Sequence, residues 1–241
     1  MANAVHGRNC TTFLNQFDIS NYLNSMSADR DAPELDQTTF LDTARTYLAD
    51  FPSGTVSLEG FYSVDTTNND TAEDLFRQAL GAANRVVTIA PEGAATFGNR
   101  ALLNDGAEVK HSVSHPVSGL ITTMADFRGE VQHGVLLAHK ASRTSTGNGT
   151  SVDNATSSAN GGVGHIHVFS KSGTTPTLDV KIQHSTDNST FADLITFTQL
   201  TDVGSERVAV TGTVNRYTRE TRTIGGSSTP TFNYAVAFAR Y

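Results

Sequence analysis

The sequence predicts a mainly β protein: an N-terminal β-sandwich or barrel flanked by one α-helix, followed by a C-terminal all-β sandwich. Three observations carry this expectation. Short stretches alternating between apolar and polar residues recur along the chain, as in Val56 to Tyr62, where Val, Leu, Gly and Tyr alternate with Ser, Glu and Phe. Turn chemistry separates them, at Pro52-Ser53-Gly54, Asp187-Asn188-Ser189 and Gly225-Gly226. Convincing helical periodicity occurs once, over residues 71–81. The composition agrees, with 20 Gly, no Trp, 37% apolar and 17% charged residues, the profile of a turn-rich β protein. A chain of 241 residues can bury two ordinary cores.

In chain order, Thr11 to Ile19 reads as a first strand, and Asp18 to Ser25 as turn or short helix leading into the acidic segment Met26 to Asp31. An extended piece ending in Thr38-Thr39-Phe40 and the strand Val56 to Tyr62 are joined by a polar connector, Leu41 to Gly54, too long for a tight hairpin. Ser63 to Thr71 is polar connection. The helix that follows has Thr71 as its cap, acidic residues in the first turn, an apolar stripe of Leu75, Phe76, Ala79 and Leu80, and Gly81 as its stop. Val86 to Ala90 is a short buried strand. Residues 94–106 read as connection, and Ala107 to Ser114, Gly119 to Phe127 and Glu130 to His139 read as an antiparallel meander.

The segment Lys140 to Gly162 is the most loop-like stretch, and it places a domain boundary near residue 141, giving domains 1–140 and 141–241. Six strands are expected beyond it: Val163 to Ser170, Thr177 to His184, Leu194 to Leu200, Glu206 to Gly212, Arg216 to Ile224 and Phe232 to Arg240.

Charge is uneven. Residues 1–140 hold 9 Lys+Arg against 17 Asp+Glu, and residues 141–241 hold 8 against 7. An acidic first half is unsuited to gripping nucleic acid, which requires cations that displace phosphate counterions. The single cysteine, Cys10, forms no internal disulfide and reads as a small strand residue. The start of the chain shows no secretory leader and no apolar run is long enough to span a bilayer, so a soluble protein made in a cytoplasm is expected.

Candidate chemistry is sparse. His165 and His167 lie on one face of a strand and offer two imidazoles to a metal, but a third ligand would have to come from His184 or His139. His111 and His115 flank a strand end. Glu73-Asp74 sit in a helix's first turn, where the dipole accounts for them. There is no nucleophile elbow, phosphate-binding loop or dinucleotide fingerprint. The expectation is therefore a protein that is not an enzyme, with no catalytic, cofactor or metal site.

The order of an acidic strand, Thr38-Thr39-Phe40, then Asp42, Arg45, Tyr47 and the turn Pro52-Ser53-Gly54, resembles the tail-tube (major tail) proteins of long-tailed bacteriophages. Asp18-Ile19-Ser20-Asn21-Tyr22 is similar to a motif of that family in which glycine is common where Asn21 stands, and Asn also tolerates positive φ. Asp179 to Asp187 and Val214 to Arg219 look like phrases from the C-terminal parts of some phage tail proteins. The resemblance implies a virion tail protein, made in the host bacterial cytoplasm. Its subunits assemble with themselves into stacked hexameric rings, contact other tail proteins, and let double-stranded DNA pass during ejection without specific binding or any membrane. It implies a ring-stacking interface at Asp42, Arg45, Tyr47 and Asp50, with the C-terminal domain as outer decoration. The alternative is a two-domain β protein whose C-terminal sandwich binds a glycan or cell-surface ligand. The aromatics there (Phe169, Phe191, Phe197, Tyr217, Phe232, Tyr234, Phe238 and Tyr241) mostly fall at strand positions that suit core packing.

Overall fold

The computed structural model describes residues 6–63 and 70–241, so the first residues and most of the polar connection from Ser63 to Thr71 lie outside the described residues. The described chain is mainly β, with several antiparallel sheets and one α-helix, as the sequence predicts. Its contacts divide it into two units, one built from residues 1–22, 85–103 and 132–241, the other from residues 23–84 and 104–131. These units are drawn differently from the 1–140 and 141–241 division. The strand Val131–Arg143 runs unbroken through position 141, because its residues pair with the chain's C-terminal strand.

The larger unit is organised on two strands of 24 residues, Gly162–Ser185 and Tyr217–Arg240, paired antiparallel from end to end. Four separate strands were expected where these two run. The Ser-Thr-Gly stretches read as turns are bends instead. Register shifts fall at Ser172/Thr174 and Thr174/Thr177, opposite the segment containing Gly225 and Ser227, and left-handed backbone occurs on both sides, at Gly173 and Thr175 and at Gly226, Ser228 and Thr229. Both strands bend together, so the ladder continues past the bend. Ala192–Thr196 and Gly204–Val210 pair with the first long strand, and Val131–Arg143 with the second. Beyond Val131–Arg143 the sheet continues through Arg100–Asn104, Val87–Ala90, Thr11–Leu14 and Phe17–Asp18. Arg100–Asn104 is a strand where connection was expected. The expected first strand is broken by a turn at Asn15, whose φ is 51°. Two short strands, Gly147–Asn148 and Val152–Asp153, pair with the second long strand inside the predicted loop.

One side of this framework buries Leu137, Ile166, Val168, Val180, Ile182, Phe197, Phe232, Tyr234 and Phe238. The other buries Phe13, Leu103, Leu136, Val163 and the alanines 235, 237 and 239. His165 and His167 belong to the second side and are buried with Thr88 between them, its hydroxyl 3.0 Å from His165 Nδ1 and 2.8 Å from His167 Nε2. His167 Nδ1 donates to the Asn15 carbonyl at 2.6 Å, which leaves Nε2 as an acceptor for Thr88 while the ring is neutral. Burial pushes His167 down to about 4, and burial together with the neighbouring His167 and Arg207 pushes His165 well below the ordinary imidazole value.

The smaller unit is a four-stranded antiparallel sheet in the order Leu23–Asp31, Ser53–Phe61, Thr122–Gly129, Ala107–Ser114. The meander expected here therefore ends at Gly129, since the next strand pairs elsewhere. Strict alternation along Ser53–Phe61 buries Gly54, Val56, Leu58 and Gly60, while Thr123, Ala125 and Phe127 are buried on the adjoining strand. The helix Ala72–Ala79 docks on this sheet through Phe76, whose ring meets Phe127 at 6.2 Å and 65°. Thr71 caps it, its Oγ1 accepting from Asp74 N, and Gly81 beyond its end has φ 80°. The buried stripe is rotated from the expected one: Ala72, Glu73, Phe76 and Ala79 face inward, while Leu80 is exposed. Glu73 is drawn in by polar partners, its Oε2 accepting from Thr123 Oγ1 at 2.6 Å and lying 3.0 Å from His111 Nε2.

Two outcomes follow for stability. Thr71→Ala should cost about 1 kcal/mol through loss of the cap, and Glu73→Ala about 2–3 kcal/mol, since it leaves Thr123 and His111 facing an empty buried site. Urea titration with and without each substitution measures both. The buried imidazoles set the acid side of stability: their folded-state affinity for protons is below that of the unfolded chain, so stability is full above about pH 6.5 and is lost as pH falls toward 4. His167 alone accounts for a loss on the order of 3 kcal/mol, and His167→Gln should flatten the urea midpoint between pH 7 and pH 4.

Candidate functional site

The strands Leu23–Asp31 and Ser53–Phe61 are paired neighbours, and the chain between them continues outward as a ribbon in which Glu34–Asp36 pairs with Tyr47–Ala49. The passage read as a connector is therefore an arm, with Thr38 to Phe40 at its tip. Every residue from Arg30 to Ser53 is exposed.

The arm's polar residues hold its shape. At the tip Asp42 accepts from Thr39 N at 2.6 Å and from Thr39 Oγ1 at 3.0 Å, while its own N donates to Thr39 O. Gln37 N donates to Thr46 O, and Thr46 N to Thr38 Oγ1, both at 3.0 Å. Arg45 lies 4.0 Å from the Asp36 carboxylate and 3.4 Å from the Tyr47 hydroxyl. Hydrogen bonds from the Thr38 side chain and backbone lower the Asp36 carboxyl. Asp50 N donates to Pro33 O at 2.7 Å, and the Asp50 carboxylate accepts from Phe51 N. The structure thus brings Asp42, Arg45, Tyr47 and Asp50 onto one arm, in positions where they order it.

Its apolar residues have no such employment. Phe40 is fully exposed, Leu41 is 93% and Phe51 89% exposed, and the cross-strand pair Leu35 and Leu48 is about half exposed. Large apolar side chains exposed along one arm are unusual on a surface that stays in water. Sequence reasoning named the arm's charged and tyrosine residues and passed over Phe40, Leu41 and Phe51. The available signal was an apolar pair inside a polar, turn-forming stretch, outside any strand or helix period. A second apolar group lies at the opposite end of the same sheet. There Phe61 ends the strand that begins at the arm and Tyr62 follows it, and Val117, Leu120 and Ile121 precede its neighbour, with Tyr62 N donating to Ile121 O at 2.9 Å.

The remaining candidates resolve into structural roles. His165 and His167 form the buried cluster around Thr88, and among the described residues no group of three His, Cys, Asp or Glu converges on a common point. His184 accepts from Asn215 N at 3.2 Å. Glu73, His111 and Thr123 superficially suggest a charge relay, but His111 Nε2 serves both Glu73 and Thr123, so no nitrogen stands between carboxylate and hydroxyl as such a relay needs. Cys10 is half-buried beside the first strand, and burial raises its thiol. Of the C-terminal aromatics, Phe197, Phe232, Tyr234 and Phe238 are core, Phe191 lies under Arg219 at 3.7 Å and Tyr217 under Arg216 at 4.9 Å. Among the described residues no helix is long and apolar enough to cross a membrane.

No protein-family model and no curated protein matches the chain. Solved structures similar to it include the virion of a native gene transfer agent particle, at 13% identity over 55% of this chain and 98% of that one, with a TM-score of 0.41. The chain is also similar to the SPP1 Dit protein, described as a paradigm of the hub adsorption apparatus in phages infecting Gram-positive hosts, at 10% identity over 96% of this chain and 99% of that one, with a TM-score of 0.39. A third is the tube-terminating cap of the anti-feeding prophage, at 9% identity over 56% of this chain and 93% of that one, with a TM-score of 0.40.

Proposed function

We propose that the chain is a structural component of a phage-type tail and, more finely, a tail-tube subunit that assembles with itself into stacked hexameric rings enclosing a passage for double-stranded DNA. The observation that carries this reading is the arm: an ordered ribbon whose large apolar residues face solvent in the isolated chain. A second copy would cover them.

Three further features support self-assembly. Among the described residues the smaller unit's sheet has two long edges, Leu23–Asp31 and Ala107–Ser114, each with one side lacking a strand partner apart from the bonds of Glu108 to Gly81 and Ala82, and joining copies edge to edge in a closed ring would remove such edges. Its apolar groups lie at opposite ends of a nine-residue strand, roughly 30 Å apart. Contact between unlike ends is head-to-tail and propagates, which suits stacking. The smaller unit also holds 15 Asp+Glu against 5 Lys+Arg, a charge that repels phosphate and favours passage over retention. On this reading Asp42, Arg45, Tyr47 and Asp50 fix the arm, and Phe40, Leu41 and Phe51 make the ring-stacking contact. No reaction is assigned to the protein.

The test removes the arm's tip. Asp36 and Tyr47 are direct cross-strand partners, so residues 37–46 can be replaced by Asn-Gly, which closes a two-residue hairpin between them. Negative-stain electron microscopy across a concentration series should show rings or tubes for the parent chain. The shortened variant should keep the parent's circular dichroism and thermal midpoint but form no tubes. Long tubes from the variant would remove the arm's tip, with Phe40 and Leu41, from the stacking contact, and a parent chain that stays monomeric when mixed with preformed tube ends would overturn the subunit assignment.

A further inference from the structure

The larger unit contains a concavity of about 360 Å³ at one end of its long sheet. Three adjacent strands supply it. Val135 and Phe238 are cross-strand partners, and the same register sets His133 beside Arg240. Leu136 N donates to Asn99 O at 2.9 Å, which brings Arg100 alongside Val135. Phe238 and Val135 are apolar lining, Arg100, Arg240 and His133 are polar lining, and Asn154 closes one side. No carboxylate lines it.

Several other cations of this unit already have partners. Lys140 pairs with Asp18, Lys171 with Asp202, Lys181 with Asp193, Arg216 with Asp153 and Arg222 with Glu220. Arg143 donates to the carbonyls of His139, Ala141 and Tyr234. Among the described residues, neither the Arg100 nor the Arg240 guanidinium bonds a carboxylate, although the Arg100 backbone N donates to Glu92 Oε2 at 3.4 Å. Arg240 is steered by one bond, from Nε to Ser158 Oγ at 3.1 Å, which leaves its terminal nitrogens for another acceptor. It is also partly desolvated, and burial lowers its guanidinium with no opposing charge to offset the cost. The Asn154 amide nitrogen is already engaged by the Arg216 carbonyl and the Thr218 hydroxyl, so the guanidiniums and the His133 ring are the available donors.

We propose that this pocket binds a carboxylate group, with Arg100 and Arg240 donating to its oxygens and Phe238 and Val135 receiving the carbon skeleton that carries it. A planar guanidinium matches a carboxylate through two parallel N–H···O bonds, and a pair of them in a concavity with an apolar floor selects an organic acid over a bare inorganic anion. Such a group has two sources, a free small organic acid or an acidic side chain presented by a protein.

Isothermal titration calorimetry on the full chain separates them, with citrate as the free acid and a synthetic peptide copying residues 33–50 of this chain, which carries Glu34, Asp36, Asp42 and Asp50, as the protein-borne source. Binding of either probe, weakened about tenfold by Arg100→Met and further by Arg240→Met, is the expected result. Citrate alone identifies a small-molecule site, and the peptide alone a protein contact. Arg100 is exposed, so its substitution leaves folding intact and keeps the test decisive if Arg240→Met unfolds the unit. Absence of binding by both probes at millimolar concentration, or equal binding to the parent and Arg100→Met chains, overturns the proposal. So does equal heat from sodium chloride at matched ionic strength, which would mark general screening.

Discussion

The antiparallel ladder between Gly162–Ser185 and Tyr217–Arg240 is the constraint on which the larger unit depends. Every backbone group buried along it needs a partner, and a turn at its middle would have exposed two rows of them. The chain meets this requirement by placing glycine and left-handed Ser and Thr at matching points on both strands, so that the ribbon bends without opening. A buried carboxylate is accommodated on the same ladder. Glu220 is almost wholly covered, accepts from the Tyr234 hydroxyl and lies 3.3 Å from Arg222, while burial and the nearby carboxylate hold the Tyr234 phenol far above its ordinary value. Gly149 crosses directly over it, where a Cβ would come within 2.9 Å of Glu220 Oε2. The small strands of the predicted loop, paired with the second long strand, thus pass close over that acid.

The larger unit and the arm use polar groups for opposite ends. Within the larger one, polar side chains complete buried sites: Thr88 between two histidines, Glu220 between Tyr234 and Arg222. On the arm of the smaller one, they tie an exposed ribbon into a defined shape and leave its apolar residues outward. An arm ordered in advance loses less conformational freedom on contact than a slack loop would, which favours association. The charge is separated in the same sense, 12 Lys+Arg against 9 Asp+Glu in the larger unit and 5 against 15 in the smaller.

What the sequence by itself determined is local. Alternation at Ser53–Phe61, the Thr71 cap and Gly81 stop of the helix, and the polar character of the arm all act within a few residues, so they can be read in order. Much of the arm was legible as a special passage, because its acidic and turn-forming residues interrupt the strand pattern. Which of its residues order the ribbon and which stay exposed was not, since Asp42 and Arg45 show their intramolecular partners only in the folded arm. Tertiary structure alone decided the pairings: that Val131–Arg143 joins the C-terminal strand, that Arg100–Asn104 is a strand, that four expected strands are two, and that Glu73 turns inward toward Thr123 and His111. The physical reason is that a strand's side-chain period is the same whichever neighbour it pairs with. Partner choice is set by the faces that must be buried together, and those faces come from residues as far apart in the chain as Thr88 and His167.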